Sequence, residues 1–216
     1  MERTVTVTGT GRLSLPPDTI ELTFMLTAKD PDYSVMMQEA ERRFAALKAA
    51  AEEAGISAEQ LHTVYYNVDT DYQHLPDENG NYRQVFAGYV CRHSLLLEIG
   101  MDMERLGAVL SAAEQSGAEP ELHFAFTLRD QDAVHEKLLK HAAENARRDA
   151  EILAVAAGAA LGNLTAVRYR DSSMPQTECG SGMLLRAAKM NDAASITPEQ
   201  IHAEESAVFV WELCGE

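Results

Sequence analysis

The chain has 216 residues, 46% hydrophobic and 24% charged, which are globular values that argue against a disordered or fibrous protein. A formal net charge of −16, from 34 acidic and 18 basic side chains, repels phosphate backbones and anionic headgroups, so nucleic-acid partners are not expected. No apolar run approaches a spanning helix, so membrane insertion is not expected either. The length suits one domain or two small intertwined lobes.

The first element is Thr4 to Asp18, where valines alternate with threonines. The alternation predicts a short strand that breaks at Gly9 and Gly11 and turns on Pro16-Pro17-Asp18. A second alternating run, Ile20 to Ala28, follows at once, so a hairpin of two short strands is expected. Asp30-Pro31-Asp32 supplies capping carboxylates for a helix. Its apolar stripe runs through Met36, Met37, Ala40, Phe44, Leu47, Ala51 and Ala54, and Gly55 is a natural stop.

Two long strands come next, about Leu61 to Tyr72 and Tyr82 to Ile99, joined through the turn signal Asn79-Gly80. The aromatic group Tyr65, Tyr66, Tyr72, Tyr82, Phe86 and Tyr89 on this hairpin suits either an interface or ordinary cross-strand packing. A short helix is expected from Asp102, with Met103, Leu106, Val109, Leu110 and Ala113 on one side and Gly117 at its close.

The pattern then repeats. Phe24 to Asp30 and Phe124 to Asp130 share Phe, Thr and Asp, and each leads into an Ala-rich helix that ends at glycine, Gly55 or Gly158. A strand follows each, from Leu61 and from Leu164 to Tyr169. Either an internal strand–helix–strand repeat or two similar Asp-capped units accounts for this. The third helix carries a small-residue stripe, Ala142, Ala146, Ala150 and Ala154, which lets it lie close to its neighbour. From Asp171 to Glu204 the composition turns loop-like. That segment is expected to be a surface loop or an arm that docks through Met183 to Met190 while Ser172 to Ser181 stays mobile.

The residues offer little chemistry. Gly9-Thr-Gly11 lacks the third glycine of a dinucleotide fingerprint and opens onto a strand, and no phosphate-binding loop or nucleophile elbow occurs. Seven histidines are scattered; His135 and His141 share a helix but fall on different faces. Three cysteines, Cys91, Cys179 and Cys214, have no C-x-x-C spacing, which argues against a disulfide framework or a structural zinc site. Cys91 is expected to be a packed, inert thiol. Cys179 is expected to be exposed and dulled by Glu178. No catalytic, cofactor-binding or metal-binding residue is therefore assigned, and no cofactor is expected.

Val5 to Gly11, Pro17-Asp18 before a strand, Gly55-Ile56, Gly88-Tyr89 and a Thr197-Pro198 step before a last strand, Ala207 to Leu213, together resemble the SIMPL-domain family. The likeness runs over nearly the whole chain. It implies a single SIMPL-like domain over 1–216 with a loop-rich arm at about 171–204. It also implies a non-enzymatic homo-oligomer of unknown molecular activity, tied to stress or oxidative-stress responses. The alternative is a small-ligand-binding or redox-responsive module that uses the loop bearing Cys179 and its methionines. Many family members carry a secretory leader, whereas Met1-Glu2-Arg3 here runs straight into alternating sequence. A cytoplasmic location is expected for the chain as it starts, or a periplasmic or cell-surface one if a leader preceded it. The expected fold class is α+β: antiparallel or mixed sheet with long packed helices, in two related strand–helix lobes.

Overall fold

A computed structural model describes residues 3–76, 82–169 and 198–215. Over these the fold is α+β, with both sheets wholly antiparallel. The chain forms two compact units, one from Asp18–Thr127 and one from the residues on either side of that span.

The Asp18–Thr127 unit holds β2 (Thr19–Asp30), α1 (Tyr33–Glu53), β3 (His62–Pro76), β4 (Tyr82–Gly100), α2 (Met103–Gln115) and β5 (Glu121–Thr127). Its sheet runs β3-β4-β2-β5. Period-two alternation puts Ile20, Leu22, Phe24, Leu26 and Ala28 of β2 on one face. Leu95, Leu97 and Ile99 of β4 join them, and Leu47, Leu106 and Leu110 of the helices close the core. Fully burying each such side chain contributes about 1.5–3 kcal/mol. Both helices begin on aspartate. The Asp32 carboxylate accepts from the Ser34 and Val35 amides at 2.8 and 3.1 Å, and Asp102 accepts from Arg105.

The other unit holds β1 (Thr4–Leu15), α3 (Gln131–Ala156), β6 (Ala159–Arg168) and β7 (Ile201–Gly215), with sheet order β1-β7-β6. Here α3 lies against β1 almost backbone to backbone. A Cβ built on Gly9 or Gly11 would stand 2.0 Å from the carbonyl oxygen of Ala142 or Leu138. The alanine stripe of α3 is buried above Val7, Ala207, Phe209 and Trp211.

Two expectations for the opening segment are corrected. β1 does not break at Gly9 and Gly11: it runs unbroken over twelve residues, paired with β7 from Thr4↔Glu212 to Leu15↔Ile201. The glycines make room for a helix rather than ending a strand. β1 and β2 are not a hairpin either. β1 pairs only with β7, while β2 pairs with β4 and β5 in the other sheet. Pro16-Pro17 separates two sheets because neither proline has an N–H to offer a ladder.

The last strand is also longer than Ala207 to Leu213. It starts at Ile201, so residues 201–204 belong to β7 and not to the arm. Polar pairing extends it: Arg12 against Glu204 and Ser14 against His202. Residues 171–197 of the arm, including Cys179 and Met183 to Met190, lie outside the described residues, as does Asn79-Gly80. The strands of the two similar segments, β2 and β5, are sheet neighbours, with Leu22 opposite Phe124. α1 packs on the sheet that contains β2, whereas α3 packs on β1 and β7.

Candidate functional site

Three places gather polar or reactive side chains. The first is the helix-side face of the β3–β4 hairpin. A register shift between Thr63 and Tyr65 re-aims β3, so that Tyr66 comes opposite His93 and Val68 opposite Cys91. His93 is buried, its Nε2 lies 2.8 Å from the Thr63 hydroxyl, and its ring meets Phe44 and Tyr66 at 4.9 and 5.1 Å. Burial lowers the His93 pKa, which favours the neutral ring. Cys91 is buried with Ala28 and Met36. The hydrogen bond between Tyr66 and Cys91 raises the phenol pKa, and burial raises it further. The Tyr66 hydroxyl also approaches Met37 Sδ at 4.0 Å.

From there an edge-to-face chain of rings continues outward: Tyr33 on Tyr89, Tyr89 on Phe86, Phe86 on Tyr72. Gly88 makes this crossing possible. Its φ is +141°, and an added Cβ would stand 2.5 Å from the Asp30 carbonyl oxygen. Much of the chain of rings faces water, with Tyr33 49% and Tyr72 50% exposed.

The second place is an open cleft of about 390 Å³ along β1, lined by Thr8, Thr10 and Arg12 on the strand and by His141, Arg148 and Asp149 on α3. Asn145 fixes its wall. Its Nδ2 donates to the Thr10 carbonyl at 2.9 Å, and its Oδ1 accepts from Arg148 Nη2 at 2.6 Å. β1 is an edge strand, and this bond occupies one of the backbone acceptors the edge leaves outside the ladder.

The third is a buried carboxylate. Glu205 has a side chain only 3% exposed, and its Oε1 lies 3.7 Å from His135 Nδ1. Neither atom has a hydrogen bond. The far nitrogen of His135 lies 3.5 Å from the Tyr169 hydroxyl. The separation suits an ion pair and exceeds a hydrogen bond.

Sequence reasoning placed Cys91 in a core, and it is there; Cys214 is exposed. His135 and His141 do lie apart, one beside Glu205 and one on the cleft. Glu205 went unnoticed because the last strand was expected to begin at Ala207. The signal was present: Ala203, Glu205, Ala207, Phe209 and Trp211 share one face at period two, which places a carboxylate in an apolar row. Among the described residues, no three His, Cys, Asp or Glu side chains stand together as metal ligands.

A family model named SIMPL, described as a protein of unknown function (DUF541), matches residues 5–211. The chain belongs to the SIMPL family. The match begins inside β1 and ends inside β7, the two strands whose pairing closes one sheet, and it spans both units. The comparison with curated proteins gave no match. No helix among the described residues is long and apolar enough to cross a membrane.

Proposed function

We propose that this SIMPL chain works without catalysing a reaction, as a self-associating protein whose copies meet through the β3–β4 hairpin. One observation carries the reading: Tyr65, Tyr66, Tyr72, Tyr82 and Phe86 are all about half exposed or more on a single two-stranded ribbon. Aromatic side chains contribute most when desolvated, and exposed aromatics concentrated on one ribbon are the residues an interface favours. The non-enzymatic part is supported by the family resemblance. A role in stress responses is supported by the family resemblance alone. The alternative redox module depends on Cys179, outside the described residues.

Light scattering on the full chain tests the proposal. The expected mass at micromolar concentration is a multiple of the 23.7 kDa monomer. Replacing Tyr72 and Phe86 together with serine is expected to return it to the monomer. A monomer mass for the parent chain overturns the proposal, and so does an oligomer that the double variant leaves unchanged. An oligomeric state that responds to peroxide would instead favour the redox reading.

A further inference from the structure

Beside His141, the cleft along β1 presents one guanidinium and one carboxylate that form no ion pair among the described residues. Arg12 is not the cation, because its guanidinium grips Glu204 at 2.7 and 3.5 Å. Arg148 gives one N–H to Asn145, and a guanidinium has five. Asn145 is itself tied to the Thr10 carbonyl, so Arg148 is braced against the strand rather than swinging in solvent. Asp149, the next residue on α3, brings a carboxylate to the same cleft. Thr8 and Thr10 line its strand side.

This pattern selects among ligands. A polyanion would meet the carboxylate of Asp149. A simple cation would meet Arg148. A molecule that carries both a carboxylate and an ammonium group satisfies both sides. A volume of about 390 Å³ lies in the range of small-molecule sites. An extended peptide adding as a strand is disfavoured, because Asn145 already occupies the Thr10 carbonyl that such a strand would need.

We propose that the cleft binds a small zwitterion, an amino acid or very short peptide, with Arg148 on its carboxylate and Asp149 on its ammonium group. Charge-assisted bonds at both ends give affinity, and the pair together gives selectivity. The site lies in the unit that lacks the β3–β4 hairpin, so it stands independently of self-association.

The test is an amide-resonance titration of the ¹⁵N-labelled full chain with glycylglycine, acetate, methylammonium and inorganic phosphate. Glycylglycine is expected to give saturable shifts at the Asn145 side-chain amide and along Thr8 to Arg12. The three probes that carry one sign of charge are expected to bind about tenfold or more weakly, as each loses one charge-assisted contact. Arg148→Ala and Asp149→Asn are each expected to weaken glycylglycine by about tenfold. Both side chains are exposed, so neither change removes core packing. If Arg148→Ala alters the far-ultraviolet circular dichroism, Asp149→Asn carries the test. No saturable shift at about 10 mM glycylglycine, an affinity too weak to count as a site, overturns the proposal. Phosphate binding as tightly as glycylglycine also overturns it, since the cleft would then be a plain anion site.

Discussion

The two units bury their helices by opposite means. In the Asp18–Thr127 unit, α1 and α2 cover the sheet through large side chains, and Ile20, Leu22, Phe24, Leu47, Leu95, Leu97 and Leu106 are essentially inaccessible. In the other unit, α3 reaches β1 through residues with almost no side chain, Gly9 and Gly11 against Ala142 and Ala146. Volume decides the first interface and backbone distance decides the second. The same methyl group therefore has opposite value in the two places: removing one opens a cavity in the first, and adding one forces the second apart.

The largest effect is expected where volume is lost. Phe24 is 1% exposed at the centre of its sheet. Phe24→Ala is expected to cost about 3–5 kcal/mol, the transfer term plus the cavity left behind. Urea denaturation followed by circular dichroism measures it. A cost below about 1 kcal/mol would mean the core collapses around the gap, and the volume account of this unit would fail.

Adding a methyl sharpens the contrast. Gly9→Ala puts a Cβ 2.0 Å from the Ala142 carbonyl oxygen and 2.6 Å from the Ala146 Cβ. Strand and helix must move apart, at an expected cost of about 1–3 kcal/mol or more. Trp211 is the single tryptophan and stacks on Phe209 at 5.6 Å in the same core, so its fluorescence reports this unit directly. The control is Gly107→Ala in α2, where an added Cβ meets nothing within 4 Å. In a helix interior that exchange is expected to stabilise by about 0.5–1 kcal/mol. If both exchanges have the same sign, close backbone approach is not what holds α3 to β1.

Much of this architecture was legible from the sequence, but unevenly. The helices were clear because Asp32, Asp102 and Asp130 announce their starts and Gly55, Gly117 and Gly158, all at positive φ, mark their ends. Capping is local, and local signals survive without the fold. Pairing partners were not legible. β1 and β2 are adjacent in sequence, yet the start of β1 pairs with a residue more than two hundred positions on, as Thr4↔Glu212 shows. No periodicity encodes such a partner. Gly9 and Gly11 were misread for the same reason: their purpose is set by α3, more than a hundred residues later. The cleft was equally hidden, since Thr8, Arg12 and Arg148 meet only after β1 and α3 come together.

The smallest expected effect concerns the ionisable groups beneath the helices. His93 has a partner in Thr63, whereas Glu205 Oε1 has no hydrogen bond. Burial holds the His93 pKa below its ordinary value of 6.5. Between the folded-state value and 6.5 the unfolded chain thus binds more protons at this site than the folded chain does. Stability contributed by the neutral ring is fully present above 6.5 and is lost as pH falls through the folded-state value. His93→Gln keeps a hydrogen-bonding group near Thr63 and cannot titrate. Its urea midpoint is expected to fall less than the parent's between about pH 7 and pH 5, the range in which histidine changes charge. Equal slopes in parent and variant would mean that His93 accepts a proton as readily in the fold as in the open chain. The packing of Phe44 and Tyr66 around its ring would then not exclude the charge.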